Sequence, residues 1–195
     1  MFTGIIEDLG EIISIEKEGN NIHFSVKSRL TNQLKIDQSV AHNGVCLTVV
    51  DIVDDVYKVT AIKETLAKTN LGDLVVGSLV NLERAMAANG RFDGHVVQGH
   101  VDQTGVCESI TDENGSWMFT IAHEAKGHIT VEKGSITING VSLTVVNSTT
   151  NNFSVCIIPY TFEHTSFKTL KPGDTVNLEF DIIGKYVEKL LAYRK

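Results

Sequence analysis

The chain has 195 residues, 42% of them hydrophobic, a net charge of −7 and three cysteines. This composition can bury one large core or two small ones and argues against disorder, and the acidic balance argues against a nucleic-acid partner, which needs a basic face. Cys46, Cys107 and Cys156 are far apart, with no Cys-x-x-Cys pair, which suggests reduced thiols in the cytosol rather than a disulfide framework.

The opening residues, Met1-Phe2-Thr3-Gly4-Ile5-Ile6-Glu7, have no basic n-region and no long apolar stretch. They do not read as a signal peptide, and no apolar run in the chain reaches membrane-spanning length. Residues 10–16 and 21–26 alternate with period two, and Gly19-Asn20 between them is a turn. Residues 39–42 lead into Asn43-Gly44-Val45-Cys46-Leu47-Thr48-Val49-Val50. Asn-Gly flanked by apolar runs predicts a hairpin, because both turn residues tolerate positive φ. Along the outgoing strand Val45, Leu47 and Val49 share the face predicted to be core, and Cys46 and Thr48 share the other. Residues 55–61 predict another strand, residues 64–71 one or two helical turns, and residues 79–83 a closing strand.

This order then repeats. Asn139-Gly140-Val141-Ser142-Leu143-Thr144-Val145-Val146 matches the first hairpin except for Ser142 in place of Cys46. Gly4-Ile5-Ile6 recurs as Gly99-His100-Val101, residues 63–66 align with 159–162, and Gly77 to Glu83 recurs as Gly173 to Glu179. The join lies near residues 85–94, where the strand pattern breaks. About six short strands in each half suit a sandwich or a closed antiparallel barrel, and closure removes exposed edges. The expected units are therefore 1–94, 95–183 and a terminal segment, 184–195. In that segment Val187, Leu190, Leu191 and Arg194 fall at helical spacing. The apolar face of this helix needs a partner, either its own barrel or the same helix from other chains. A lone Cys-x-Thr on an outer face is usually ordinary surface. The same polar pair presented twice suggests one ligand held twice.

Several stretches together carry a resemblance. They are Met-Phe-Thr-Gly-Ile at the start, Ala-His-Asn-Gly-Val-Cys-Leu-Thr-Val, Gly-His-Val-Val-Gln-Gly-His-Val-Asp at the join, Asn-Gly-Val-Ser-Leu-Thr-Val, and Lys-Pro-Gly-Asp-x-Val-Asn-Leu-Glu. The chain resembles riboflavin synthase of the alpha-chain type along its whole length. The resemblance implies an all-β fold of two tandem six-stranded antiparallel Greek-key barrels plus a C-terminal helix, assembled as a homotrimer in the cytoplasm. It implies a transferase that converts two molecules of 6,7-dimethyl-8-ribityllumazine into riboflavin and 5-amino-6-ribitylaminouracil with no metal or redox cofactor. Lumazine synthase is a candidate protein partner; nucleic acid and membrane are not. The alternative is a lumazine- or flavin-binding protein without turnover, which would be expected to lose the polar pair in one half.

By the family's pattern, each ligand is expected to be held by stretches of one barrel. For the first barrel these are Gly4, Ile5, Ile6, Ser39, Cys46, Leu47, Thr48, Thr60, Ala61, Ile62, Lys63, Glu64 and Thr65. For the second they are Gly99, His100, Val101, Lys133, Ser142, Leu143, Thr144, Ile157, Ile158, Pro159, Tyr160, Thr161 and Phe162. Phe2 is either a wall over the first pocket or core packing. The reaction must remove a proton from the lumazine 7-methyl group, and His100 is the first candidate because imidazole titrates near working pH. His95, five residues earlier, would face the opposite way on a shared strand, which makes the two poor joint metal ligands. Cys46, Ser142, Thr144, Lys133 and Asp181 complete the catalytic candidates. Because Ser142 stands where the first half has Cys46, hydrogen bonding suits that position better than thiolate attack. Asp181 is either beside the reacting centre or a solvated loop residue. His42, His123, His128, His164 and Cys107 are read as structural.

Overall fold

The period-two runs form strands in both halves. The computed structural model describes residues 1–125 and 127–193. In the first half β1 (Asp8–Glu18), β2 (Asn21–Lys27), β3 (Ser39–His42), β4 (Val45–Val53), β5 (Val56–Ala61) and β6 (Leu79–Arg84) close into a barrel. Around the barrel the order is β1-β2-β5-β4-β3-β6, and β6 returns to pair with β1. The second half repeats this with β7 (Gln103–Asp112), β8 (Trp117–His123), β9 (Ser135–Ile138), β10 (Val141–Val146), β11 (Asn152–Ile157) and β12 (Thr175–Phe180). The two Greek-key barrels bear out the expected architecture. Each contains its own apolar core: Ile12, Phe24, Val49, Val59 and Leu82 in the first, Phe119, Ile121, Val145, Phe153 and Leu178 in the second. The helical turns expected after the fifth strand are α1 (Lys63–Lys68) and, in the repeat, α2 (Pro159–His164). Both are followed by a short 3-10 turn capped by a threonine hydroxyl, Thr69 or Thr165.

Both Asn-Gly turns adopt the positive φ that their residues permit: 45° and 80° at Asn43 and Gly44, 45° and 81° at Asn139 and Gly140. These glycines have a second role. A Cβ on Gly44 would lie 2.8 Å from the Gly140 nitrogen, and one on Gly140 would lie 2.7 Å from the Gly44 nitrogen. The barrels therefore meet hairpin to hairpin about a pseudo-two-fold axis. Four buried asparagines tie them together reciprocally. Asn81 Nδ2 donates to the Asn139 carbonyl at 2.8 Å, and Asn177 Nδ2 donates to the Asn43 carbonyl at 2.9 Å. Within each barrel the Asn81 and Asn177 amides donate to the Asn43 and Asn139 side chains, each at 2.8 Å. A satisfied polar network of this kind specifies one docking geometry, since any slip leaves buried amides unpaired.

Val45, Leu47 and Val49 are buried as expected, but in the second half Leu143 is only partly buried beside Val141 and Val145. His42 is buried in the first barrel, where its imidazole lies 3.0 Å from the Val40 carbonyl and 2.7 Å from the Tyr57 hydroxyl. Burial lowers its pKa from 6.5 to about 4. The charged form is thus disfavoured only in the folded state. Stability from this residue is full above pH 6.5 and is lost as pH falls from 6.5 to about 4. Over that window the expected loss is about 3 kcal/mol. Urea titrations of wild type and His42→Gln should show the variant losing less stability on acidification. Parallel pH profiles would show that His42 does not carry the effect.

The final helix, α3 (Ile182–Ala192), begins earlier than residue 184 because Asp181 caps it, accepting from the Ile183 amide at 2.9 Å. Ile183, Val187, Leu190 and Leu191 are all exposed on it. Arg194 and Lys195 lie outside the described residues.

Candidate active site

Each half ends in a buried glutamate that binds backbone rather than a cation. Glu83, the last Glu of the Asn-Leu-Glu run on β6, accepts from the Thr3 amide at 2.7 Å, the Thr3 hydroxyl at 3.0 Å and the Gly4 amide at 2.9 Å. Its repeat on β12, Glu179, accepts from the amides of Gln98 at 2.6 Å, Gly99 at 3.0 Å and His100 at 3.0 Å. Burial pushes both carboxyls above the usual range, while the N–H donors act in the opposite direction. Glu83 and Glu179 thus anchor the two glycine stretches. The sequence reading passed over them because a single charge in a strand reads as surface; their recurrence at matching places in both halves was the available signal.

The anchored stretches then cross over. The Ser142 amide donates to the Gly4 carbonyl at 2.8 Å, and the Cys46 amide donates to the Gly99 carbonyl at 2.9 Å. Ile6 packs on the second core and Val101 on the first. The expected grouping by barrel is therefore corrected. Gly4 borders Ser142 and Ile6 reaches the second core, whereas Gly99 borders Cys46 and Val101 reaches the first. The approach is too close for a side chain: a Cβ on Gly4 would be 2.5 Å from Ser142 Cβ, and one on Gly99 would be 2.6 Å from Cys46 Cβ. Phe2 forms the pivot of the exchange. It is fully buried against Ala41, Val97 and Cys46, and it exchanges two backbone hydrogen bonds with Val97.

His95 and His100 do not share a strand. The segment makes one isolated bridge, Phe2 to Val97, and Gly99 at φ 79° turns the chain away. His100 is exposed. His95 is buried, with Nδ1 2.6 Å from the Ser142 hydroxyl and Nε2 3.2 Å from the Thr137 hydroxyl. Burial lowers its pKa and the Asp181 charge opposes that shift. A neutral imidazole between two hydroxyls can take a proton at one nitrogen and release one at the other. Asp181 thus both caps α3 and places its charge near His95.

The remaining expected residues fall on or beside other strands and helical turns of the two barrels. Ser39 pairs with Thr48 across β3 and β4, as Ser135 does with Thr144. The Thr60 hydroxyl lies 2.9 Å from His23 Nδ1, a neighbour that the sequence did not suggest. Ala61 closes β5, and Ile62 is the exposed residue preceding Lys63, Glu64 and Thr65 of α1. Ile157 closes β11, Ile158 and Tyr160 are exposed, and Pro159 and Thr161 belong to α2. Phe162 stacks on Trp117 with ring centroids 4.0 Å apart. Lys133 holds a positive φ of 65°, as Asp37 does at 71° in the first half, and each donates its amide to the neighbouring strand, at Val145 and Val49. Among the described residues no cluster of His, Cys, Asp and Glu is placed to hold a metal ion, and no helix is long and apolar enough to cross a membrane.

The lumazine binding domain family matches residues 3–85 and again 98–181, one match to each barrel. Riboflavin synthase of Actinobacillus pleuropneumoniae is 45% identical over 193 residues, covering 98% of this chain and 90% of that protein. The Bacillus subtilis riboflavin synthase is 42% identical over the same shares, and that of Mycobacterium tuberculosis is 41% identical over 98% of both chains. Among solved structures, LumP complexed with riboflavin superposes with a TM-score of 0.85 at 26% identity, covering 92% of this chain and 99% of that one. With two family matches spanning both barrels and relatives aligned end to end, the chain belongs to the riboflavin synthase family of enzymes.

Proposed function

We propose that the chain catalyses the dismutation of two 6,7-dimethyl-8-ribityllumazine molecules by transfer of a four-carbon unit, giving riboflavin and 5-amino-6-ribitylaminouracil. This would be the last step of riboflavin biosynthesis. The observation that carries the reading is the crossed pair of equivalent sites: Cys46 with Gly99, Ser142 with Gly4. A reaction between two copies of one molecule needs two similar pockets, and duplication with exchange supplies them. One molecule gives up the four carbons that the other gains, so the redox change balances within the pair. Alignment of two reactants can contribute roughly 7–11 kcal/mol, so much of the task is positioning.

In this proposal the backbone edges at Gly4 and Gly99, with the hydroxyls of Thr48 and Thr144, hold the flat heterocycles. Cys46 and Ser142 donate or accept at matching positions. Lys133 gives the second pocket a cation where the first has Asp37. His95, with Ser142 and Asp181, is the proton relay of the second pocket, and His100 serves the first. The proposed units are 1–94, 95–183 and the terminal segment 184–195, which carries most of α3. The exposed apolar side of α3 lines a groove of about 720 Å³ with Ile129 and Val131, a surface suited to the same helix of further copies in a cytoplasmic homotrimer, with lumazine synthase as a candidate outer partner.

The test is incubation with the lumazine alone. Green riboflavin fluorescence should appear without any added cofactor, and a non-reacting lumazine analogue should saturate near two equivalents per chain. Binding that stops at one equivalent with no fluorescence growth would favour a chromophore-binding protein and sink the proposal.

A further inference from the structure

In the first half Glu7, just before β1, accepts from the Arg84 amide at 2.7 Å and also pairs with the Arg84 guanidinium, whose Nε is 2.9 Å from it. The repeat keeps half of this device. Asp102 stands in the place of Glu7 and accepts from the Phe180 amide at 2.9 Å. Phe180 stands where Arg84 was, so it offers no cation. The missing charge comes from α3: Lys185 Nζ lies 2.7 Å from Asp102 Oδ1. The replacement pair is more deeply buried than the original. Side-chain exposure is 17% and 14% for Lys185 and Asp102, against 36% and 29% for Arg84 and Glu7.

We infer that Lys185 is a positioning residue for the first pocket: the C-terminal helix delivers its ammonium to the Asp102–Glu179 region and so completes the carboxylate clamp that holds Gln98, Gly99 and His100 against Cys46. This rests on the reading of two crossed pockets. Three observations meet in it. Glu179 accepts three backbone amides of that stretch, and the Lys185 charge favours its ionised form. Glu83, which clamps Thr3 and Gly4 in the first half, feels instead the like charge of Glu7. The segment carrying Lys185 has no counterpart in the first half, so the second half takes from a separate element the cation that Arg84 supplies in the first. The other titratable groups facing the cluster are His128, with Nε2 3.9 Å from Asp102 and its ring stacked on Phe180, and Lys68 of α1, whose ammonium feels the Asp102 charge. Without Lys185 the buried Glu179 and the half-buried Asp102 lose the ammonium that hydrogen-bonds Asp102. A buried acceptor that protonates can no longer serve three donors. The Gly99 carbonyl then loses its fixed place opposite the Cys46 amide.

Amide hydrogen exchange on the full chain tests this without any ligand. In Lys185→Met the amides of Gln98, Gly99 and His100 should exchange about tenfold faster or more, while those of Thr3 and Gly4, held by Glu83, keep wild-type rates. Lys185→Arg should restore the slow rates. If the methionine variant does not fold, Lys185→Gln replaces it in the same comparison. Unchanged exchange at residues 98–100 would overturn the inference. So would equal acceleration at Thr3, Gly4 and throughout the second barrel, which marks general loosening, or failure of arginine to rescue. Riboflavin titration adds a functional arm: one of the two sites should weaken about tenfold in Lys185→Met and recover in Lys185→Arg. A wild-type chain that binds no riboflavin would count against the two-pocket reading, while the exchange rates would still decide the part played by Lys185.

Discussion

Gly44→Ala is expected to destabilise the chain by at least about 3 kcal/mol and to weaken both pockets together, whereas Gly19→Ala should cost only about 1 kcal/mol. Both glycines have positive φ, 80° and 58°, so the backbone strain of adding a Cβ is similar in the two variants. Their surroundings differ. Nothing lies within 4 Å of a Cβ on Gly19, whereas a Cβ on Gly44 would be 2.8 Å from the Gly140 nitrogen and 3.0 Å from its Cα. That obstacle is backbone and cannot rotate aside. Relief requires the barrels to part, which breaks the reciprocal bonds from Asn81 to Asn139 and from Asn177 to Asn43. It also pulls the Gly4 and Gly99 carbonyls away from Ser142 and Cys46. Urea denaturation and riboflavin titration of both variants measure the two consequences. If Gly44→Ala proves no worse than Gly19→Ala, the hairpins do not meet and the pseudo-two-fold docking is wrong.

The same contact shows why part of the molecule could be read from sequence and part could not. Strand periods and the Asn-Gly turns are local, and their residues declare them. The duplication of the Asn-Gly-Val-x-Leu-Thr run announced two equivalent sites. It could not announce that Gly4 serves Ser142 while Gly99 serves Cys46. When two copies of a segment change places, each still meets the environment its sequence suits, so every local signal is conserved. The offset between repeats establishes equivalence and is silent on partnership. Glu83 and Glu179 were hidden for a related reason: their partners are backbone amides, which carry no residue identity. His100 stands in the repeated Gly-x-x stretch and His95 outside it, so the sequence favours His100; that His95 lies buried between Ser142 and Thr137 depends on contacts 47 and 42 residues away. The family resemblance supplied the reaction and the candidate residues, and the geometry supplied the pairing of Gly4 with Ser142 and of Gly99 with Cys46.

Two variants that each lose one pocket are expected to be nearly inactive alone and to regain activity when assembled together. The first carries Cys46→Leu with Thr48→Val, the second Ser142→Leu with Thr144→Val. Each retains one lumazine site, so ligand still binds, but the reaction loses its second aligned partner. Loss of that proximity should cost about a hundredfold or more in turnover. The arrangement within one chain sets the expectation for mixing. The barrels meet through Gly44 and Gly140, with Phe2 and Val97 buried against Ala41 and Cys46. The pseudo-two-fold axis brings the Gly44 and Gly140 turns together, and Cys46 and Ser142 are each covered by a glycine stretch of the opposite half, which disfavours direct transfer between the two sites of one chain. In a closed trimer the first pocket of one subunit can instead face the second pocket of the next, a head-to-tail contact that three-fold rotation closes. After the variants are unfolded together and reassembled in equal amounts, about a quarter of such contacts pair two intact pockets, so activity should return to about a quarter of wild type. Native mass measurement establishes that mixed trimers have formed. Mixed trimers as inactive as their parents would place the reacting pair within a single chain and remove the role assigned to the subunit contact.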